Sequence, residues 1–324
     1  MNAASNSESR EHAPVLAEQA VAHLITDPQG IYVDATFGRG GHSRRILQCL
    51  APAGRLIALD RDPQAREAAR TWNDPRFEFV QSEFSRLATV LAERSIAQIN
   101  GVLIDLGVSS PQLDDAQRGF SFRADGPLDM RMNTDQGRSA AQWLAQVGVD
   151  ELKKVLRDYG DERFAAPIAK AIVARRENGH PIRRTAELAA VVASAIPVRS
   201  RKDPLQHPAT RTFQAIRIFI NQELEEVALI LEASLSVLAP GGRLAVITFH
   251  SLEDRIVKRF MDAQAHPERG LGRLPLRAAQ LPRPRLRLLA RITPSASEVQ
   301  QNPRARSAHL RVAERTDVAL TRRT

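Results

Sequence analysis

The chain of 324 residues contains one cysteine, Cys49, so no disulfide can form within it. Cys49 falls among Ile46, Leu47 and Leu50 of an expected helix, which predicts a buried, inert thiol rather than a nucleophile. No apolar run approaches the roughly 18 residues of a membrane span. Residues 1–11 are polar and lack the charged-then-apolar pattern of a signal peptide; they read as a disordered tail. A cytoplasmic location is therefore expected. The histidines occur singly, without metal-site spacing, so no metal is expected. Lysine is scarce and confined to positions 153, 154, 170, 202 and 258, so arginine carries almost all of the positive charge. With a net charge of +9 and a pI of about 10.6, the balance favours an anionic partner such as nucleic acid. Arginine forks suit phosphates, although genomic composition produces the same bias.

What is present is ordinary in hydrophobic content, 43%, and long enough for one large core or two smaller ones. The most informative stretch runs from Ile31 to Ser43. Ile31-Tyr32-Val33 forms a short buried strand pattern that ends on Asp34, and Gly38, Gly40 and Gly41 follow at once. A strand, a glycine-rich turn and a helix start make a nucleotide-cradling element. A second strand, residues 55–59, ends on Asp60, placed to accept from ribose hydroxyls. Dinucleotides and S-adenosylmethionine are both held this way. The dinucleotide fingerprint asks for Gly or Ala where this chain has Ser43. Asp34 suits the cationic methionine end of S-adenosylmethionine better than a pyrophosphate, because like charges repel in a dry site.

Strands are predicted near 31–34, 56–60, 77–80 and 101–106, and helices at 15–25, 42–50, 63–72 and 84–95, with Asp62-Pro63 starting one of them. This alternation argues a mainly parallel sheet with crossover helices. From 114 the rhythm stops, and 139–197 reads helix after helix, with Asp150 and Thr185 as N-caps. The apolar residues from Ile216 to Leu238 then predict one long amphipathic helix, ended by Pro240-Gly241-Gly242 and followed by a strand at 243–249. The expected organisation is an α/β domain of residues 12–113 and 214–324, interrupted by a helical insertion at 114–213. Residues 263–294, dense in Arg, Leu and Pro, read as a loop or arm, with a last strand after Asn302.

Several longer motifs occur in order: H-A-P-V-L at 12–16, D-A-T-F-G-R-G-G-H at 34–42, D-R-D-P at 60–63 and D-L-G-V-S-S-P-Q-L-D at 105–114. R-G-F-S-F at 118–122, D-G-P-L-D-M-R-M at 125–132, H-P-A-T-R-T-F-Q-A-I-R-I at 207–218, F-H-S-L-E-D-R-I-V-K at 249–258 and N-P-R-A-R-S-A at 302–308 complete the set. From about residue 12 to 315 the chain closely resembles the bacterial ribosomal small-subunit RNA methyltransferase H (MraW) family. The segment 263–297 matches only loosely. The resemblance implies a class I, Rossmann-like S-adenosylmethionine-dependent methyltransferase domain with a helical insertion. It also implies N4-methylation of a cytidine in 16S rRNA near the decoding centre of the small ribosomal subunit. It maps cofactor contacts to Gly40, Gly41, His42, Asp60, Phe84, Asp105 and Gln112. Asp34 and Gly38 join them on the loop pattern.

A cytosine amine is a poor nucleophile, because its lone pair is delocalised into the ring. Catalysis then needs alignment and hydrogen-bond acceptors at the amine. Ser109, Ser110 and Asp105 are the candidate catalytic residues, with a backbone carbonyl as the alternative; Ser-Pro after a strand is also an ordinary turn. A base held in folded RNA must be splayed out to reach the methyl group. Phe120 and Phe122 are candidate stacking groups, or else core anchors of the insertion. Arg118, Arg123 and Arg131 are candidate phosphate contacts. Arg211, Arg217 and His250 are placed toward the cleft, and Ser251 either joins them or caps a helix. A nicotinamide-dependent oxidoreductase and a non-catalytic nucleic-acid-binding protein are the competing classes.

Overall fold

The computed structural model describes residues 14–197, 207–271 and 281–319. The tail at 1–11, His12, and the stretches at 198–206 and 272–280 lie outside the described residues. The strands are β1 (Ile31–Asp34), β2 (Arg55–Asp60), β3 (Phe77–Gln81), β4 (Ile99–Asp105), β5 (Leu238–Thr248), β6 (Leu286–Ile292) and β7 (His309–Arg315). They form one sheet in the order β3-β2-β1-β4-β5-β7-β6. The first five are parallel, and β7 runs antiparallel between β5 and β6. Val33 of β1 sits level with Ile57 of β2 and Val102 of β4.

Because helices cover both faces, the central parallel strands β1, β2 and β4 are apolar almost throughout. Successive side chains alternate between the two faces. Tyr32, Leu56, Leu103 and Ala245 pack on α1 (Ala17–Leu24) and α2 (Gly41–Cys49). Val33, Ile57, Val102 and Val246 pack on the other face. Their partners there are α4 (Leu87–Ala92), which follows α3 (Pro63–Ala69), and α11 (Glu223–Val237) and α12 (Ser251–Ala265).

Between β4 and β5 lie α5 (Ser110–Asp114), α6 (Ala140–Leu144), α7 (Val149–Gly160), α8 (Ala165–Glu177), α9 (Thr185–Ala195) and α10 (Thr210–Asn221). Helices α6–α10 share a separate core that includes Trp143, Leu152, Leu156, Ile168, Ile172, Leu188, Val192, Phe213 and Ile216. The Trp143 and Phe219 rings meet at 4.5 Å. Helix α10 thus packs with the inserted helices, and we place the end of this unit at Asn221 rather than at 213.

Several expectations are corrected. The single long helix from 216 to 238 is two helices, because Gln222 adopts a left-handed conformation (φ 51°) between them. The apolar period continues across the break because both halves bury a face, so periodicity alone could not show it. Pro240-Gly241-Gly242 falls inside β5, where the register with β4 shifts and Gly241 has φ 80°. Residues 263–294 hold the end of α12 and the edge strand β6, paired to β7. Gly148 and Arg184, not Asp150 and Thr185, occupy the N-cap positions of α7 and α9. Cys49, at the last residue of α2, is exposed rather than buried. Helix α13 spans Ala296–Gln301.

Candidate active site

A cleft of about 990 Å³ opens at the C-terminal ends of β1, β2 and β4, the edge where open α/β sheets bind ligands. Its first wall is the glycine loop. Gly38 (φ 56°) and Gly40 (φ 79°) are both left-handed, a conformation that costs other residues about 1–2 kcal/mol. A Cβ on Gly40 would stand 2.2 Å from the Trp72 ring, so the loop closes tightly over that indole. Asp34 does not face the cleft, contrary to its expected role beside the methionine end. It is fully buried, and its carboxylate accepts from the Ser43 hydroxyl at 2.6 Å and the Thr36 N–H at 3.1 Å. Burial holds its pKa above the ordinary carboxylate value, against the pull of His42 and Ser43. Ser43 therefore ties the start of α2 to the end of β1. Gly40 also lies outside the cleft lining, whereas Gly38, Gly41 and His42 are part of it.

Asp60 closes β2 and lines the cleft. Its carboxylate accepts from the Gly38 N–H at 2.7 Å and the Asp62 N–H at 2.9 Å. Burial nevertheless pushes its pKa up to about 6, outweighing those two bonds. A carboxylate has about four acceptor sites, so two backbone bonds leave capacity for hydroxyl donors.

Asp105 ends β4, and its backbone N–H donates to the Thr36 hydroxyl at 2.7 Å. His42 Nε2 lies 3.3 Å from Asp105 Oδ2. Burial disfavours the imidazolium, but Asp105, with Asp34 behind it, outweighs burial, so the His42 pKa is raised. Both His42 ring nitrogens and Asp105 Oδ1 are buried without an aligned hydrogen bond. His42 Nδ1 and Asp105 Oδ1, with no partner at all, are costly unless a ligand completes them. This set suits a ligand with an amine or other polar head, beside a loop that admits close backbone approach.

Helix α5 supplies the next wall through a capping box. The Ser109 hydroxyl accepts from the Gln112 N–H at 3.4 Å, and Gln112 Oε1 accepts from the Ser109 N–H at 3.0 Å. Ser109 therefore has a structural use, while Ser110, the first residue of α5, lines the cleft without that duty. Gln112 Nε2 donates to Asp62 Oδ2 at 2.7 Å. Phe84, in the 3-10 turn Phe84–Arg86, lines the cleft and packs partly on the sheet core.

The residues expected to touch substrate are dispersed. Arg118 is buried and points back at the sheet domain, donating to Asp62 Oδ2 at 2.8 Å and to the carbonyls of Arg131 and Met132. Phe120 is buried in the helical core, with the Arg118 guanidinium over its ring. Phe122 packs beside that core against His207 and Phe213, at 4.5 and 4.8 Å. In this conformation both aromatics pack the insertion and neither is offered to a base. Arg131 forms a two-pronged pair with Asp129. Arg211 is exposed and bonds the Asp161 carbonyl, Arg217 is paired with Glu223, and Arg123 is exposed. His250 is the N-cap of α12: its Nδ1 accepts from the Glu253 N–H at 3.5 Å, and Nε2 lies 2.9 Å from Glu253 Oε1. It lies outside the cleft lining, and Ser251 is the first helical residue rather than the cap.

The cleft also contains residues that sequence reasoning gave no role. Arg61 reaches the Asn221 carbonyl at 2.9 Å and the Met132 sulfur at 3.0 Å, joining the cofactor side to the insertion. Asn302 and Arg304 also line the cleft. Their signal was visible in N-P-R-A-R, where Asn before Pro-Arg reads as a cap, and the Asn302 side chain does accept from the Arg304 N–H.

Fold and site together define a class I, Rossmann-like methyltransferase: five parallel strands, an antiparallel β7, a glycine loop after β1 and an acid after β2. The model of the MraW methylase family matches residues 9–316, and the chain belongs to that family. It is 57% identical, over 309 residues, to proteins named ribosomal RNA small subunit methyltransferase H from Burkholderia mallei (strain SAVP1) and Burkholderia vietnamiensis; the match covers 94% of this chain and 97% of each relative. Among solved structures, an rRNA methylase from Streptococcus thermophilus aligns over 93% of this chain and 94% of its own, at 12% identity and a TM-score of 0.39. No helix among the described residues is long and apolar enough to cross a membrane.

Proposed function

We propose that this chain transfers the methyl group of S-adenosylmethionine to the exocyclic N4 amine of a cytidine in 16S rRNA, near the decoding centre of the small ribosomal subunit in the cytoplasm. The observation that carries this reading is Asp105: a carboxylate at the end of β4, in the cleft, with one buried oxygen left without a donor. The cofactor would be held by the glycine loop at Gly38 and Gly41, by His42, by Asp60 at its ribose, by Phe84 near its adenine and by the α5 wall at Gln112. When bound it supplies an already activated methyl group.

The protein's own work is alignment and charge stabilisation. The Asp105 carboxylate, 25% exposed, can accept one N–H of the target amine, and the Ser110 hydroxyl or a loop carbonyl can accept the other. Two acceptors draw the nitrogen lone pair out of conjugation with the ring and stabilise the positive charge that develops on nitrogen. His42, 3.3 Å from Asp105 Oδ2, keeps that carboxylate in place. The proton lost afterwards can pass to water, so no strong base is required. The names of the 57% identical relatives support small-subunit ribosomal RNA as the substrate.

The test uses radiolabelled S-adenosylmethionine and small ribosomal subunits from a strain lacking the modification. Label recovered as N4-methylcytidine, and lost with Asp60→Ala, supports reaction, cofactor site and substrate together. Cofactor binding without label in RNA would sink the substrate assignment and leave the fold untouched.

A further inference from the structure

An ion pair joins two distant segments that line the cleft. Arg304 Nη2 donates to Asp114 Oδ1 at 2.6 Å and Nη1 to Oδ2 at 3.5 Å, although 190 residues separate them in sequence. Asp114 is the last residue of α5, which follows β4. Arg304 sits in the 3-10 turn Pro303–Ser307 that leads into β7, whose first residue pairs with the last of β5. Both residues line the same cleft as Asp105. A base that reaches Asp105 enters through this cleft.

The energetics of the pair mark it as exchangeable. The Arg304 side chain is 34% exposed and that of Asp114 56%, so the bridge is worth about 1 kcal/mol or less. The guanidinium fork matches a phosphate as well as a carboxylate, and a phosphodiester offers two anionic oxygens in the same geometry. The backbone that presents Arg304 is fixed by the Asn302 cap, so the side chain can change partner without rebuilding the turn. Three arginines that the sequence motifs suggest for RNA are engaged elsewhere: Arg118 is buried in an ion pair, Arg217 is half-buried against Glu223, and Arg131 is forked onto Asp129.

We propose that Arg304 binds the phosphate flanking the target nucleotide and so positions it at the cleft mouth, and that Asp114 holds the Arg304 fork in register until RNA displaces it. The inference rests on the RNA-methylation reading above. Asp114 thus competes with the substrate for the same guanidinium.

The competition makes the test specific. Wild type, Arg304→Gln and Asp114→Asn are compared for methyl transfer to unmodified small subunits, with the cofactor dissociation constant measured in parallel. Arg304→Gln is expected to raise KM for the subunit about tenfold, with cofactor affinity unchanged and a shallower dependence of KM on salt. Asp114→Asn frees the guanidinium and is expected to lower KM two- to threefold. A bridge that only fastens two loops would respond alike to loss of either partner. Shifts of KM in the same direction, or no shift with Arg304→Gln, overturn the proposal. If wild type methylates no RNA at all, the functional reading fails first and this inference falls with it.

Discussion

Arg118 of the insertion and Asp62 of the sheet domain stand 2.8 Å apart, with side chains only 5% and 6% exposed. Asp62 also caps α3 through the Gln64 N–H and accepts from Gln112, so one carboxylate anchors three segments. Removing one member of a buried pair strands the other. Arg118→Ala is expected to cost about 3–5 kcal/mol in chemical denaturation. Arg118→Lys, which keeps the charge but loses the fork, is expected to cost less.

The Asp60 pKa of about 6 fixes the sign of two pH effects. Ribose hydroxyls donate to the ionised carboxylate, so cofactor affinity is expected to fall as pH drops through 6, by up to tenfold per pH unit below it. Because the folded-state value lies above the ordinary one, ionised Asp60 opposes folding at neutral pH. That cost is relieved as pH falls from above 6 toward 4. Asp60→Asn should therefore melt at or above wild type at pH 7 without cofactor, lose that margin near pH 4, and bind cofactor weakly with a flat pH profile. Calorimetric titration and melting at several pH values check both.

Gly40→Ala combines a left-handed residue with a Cβ 2.2 Å from Trp72. The loop must open to relieve the clash, and cofactor affinity is expected to fall at least tenfold. Gly137, also left-handed but with nothing near its Cβ position, is the control: Gly137→Ala should cost about 1–2 kcal/mol or less and leave cofactor binding unchanged.

Ser109 and Ser110 are expected to separate. Ser109→Ala removes the α5 cap and should cost about 0.5–2 kcal/mol of stability. Ser110→Ala should leave stability unchanged and lower the rate of transfer if its hydroxyl accepts from the amine. Equal turnover in both variants would leave the second acceptor to a backbone carbonyl.

Much of the sheet could be read from the chain, because short apolar runs ending on Asp34, Asp60 and Asp105 place both the strands and the ligand edge. Asp60, Asp105 and Gln112 occupy the cleft wall because strand and helix ends have fixed positions in such sheets. Asp34 shows the limit: an acid at a strand tip can face the ligand or turn back on its own loop, and only the Ser43 hydroxyl 2.6 Å away decides it. The substrate residues were least legible. Arg118, Phe120 and Arg131 belong to segments without periodicity, so their side-chain directions depend on tertiary partners such as Asp62 and Asp129. Arg304 was missed for a related reason, since its partner lies 190 residues away.

The pairing of β4 with β5 has a consequence for how the chain reaches its native state. Asp105 and Ile247 are neighbours in the sheet, yet residues 106–246 intervene. Closing so long a loop from an unstructured chain is slow, because its entropy must be lost before the strand contacts form. The inserted helices have a core of their own, drawn from residues 120–216 and so closed by shorter loops than the one between β4 and β5. Their early collapse would shorten the effective loop and bring the β4 and β5 ends together. Pulse-labelled hydrogen exchange during refolding should then show α7 and α8 protected before β5.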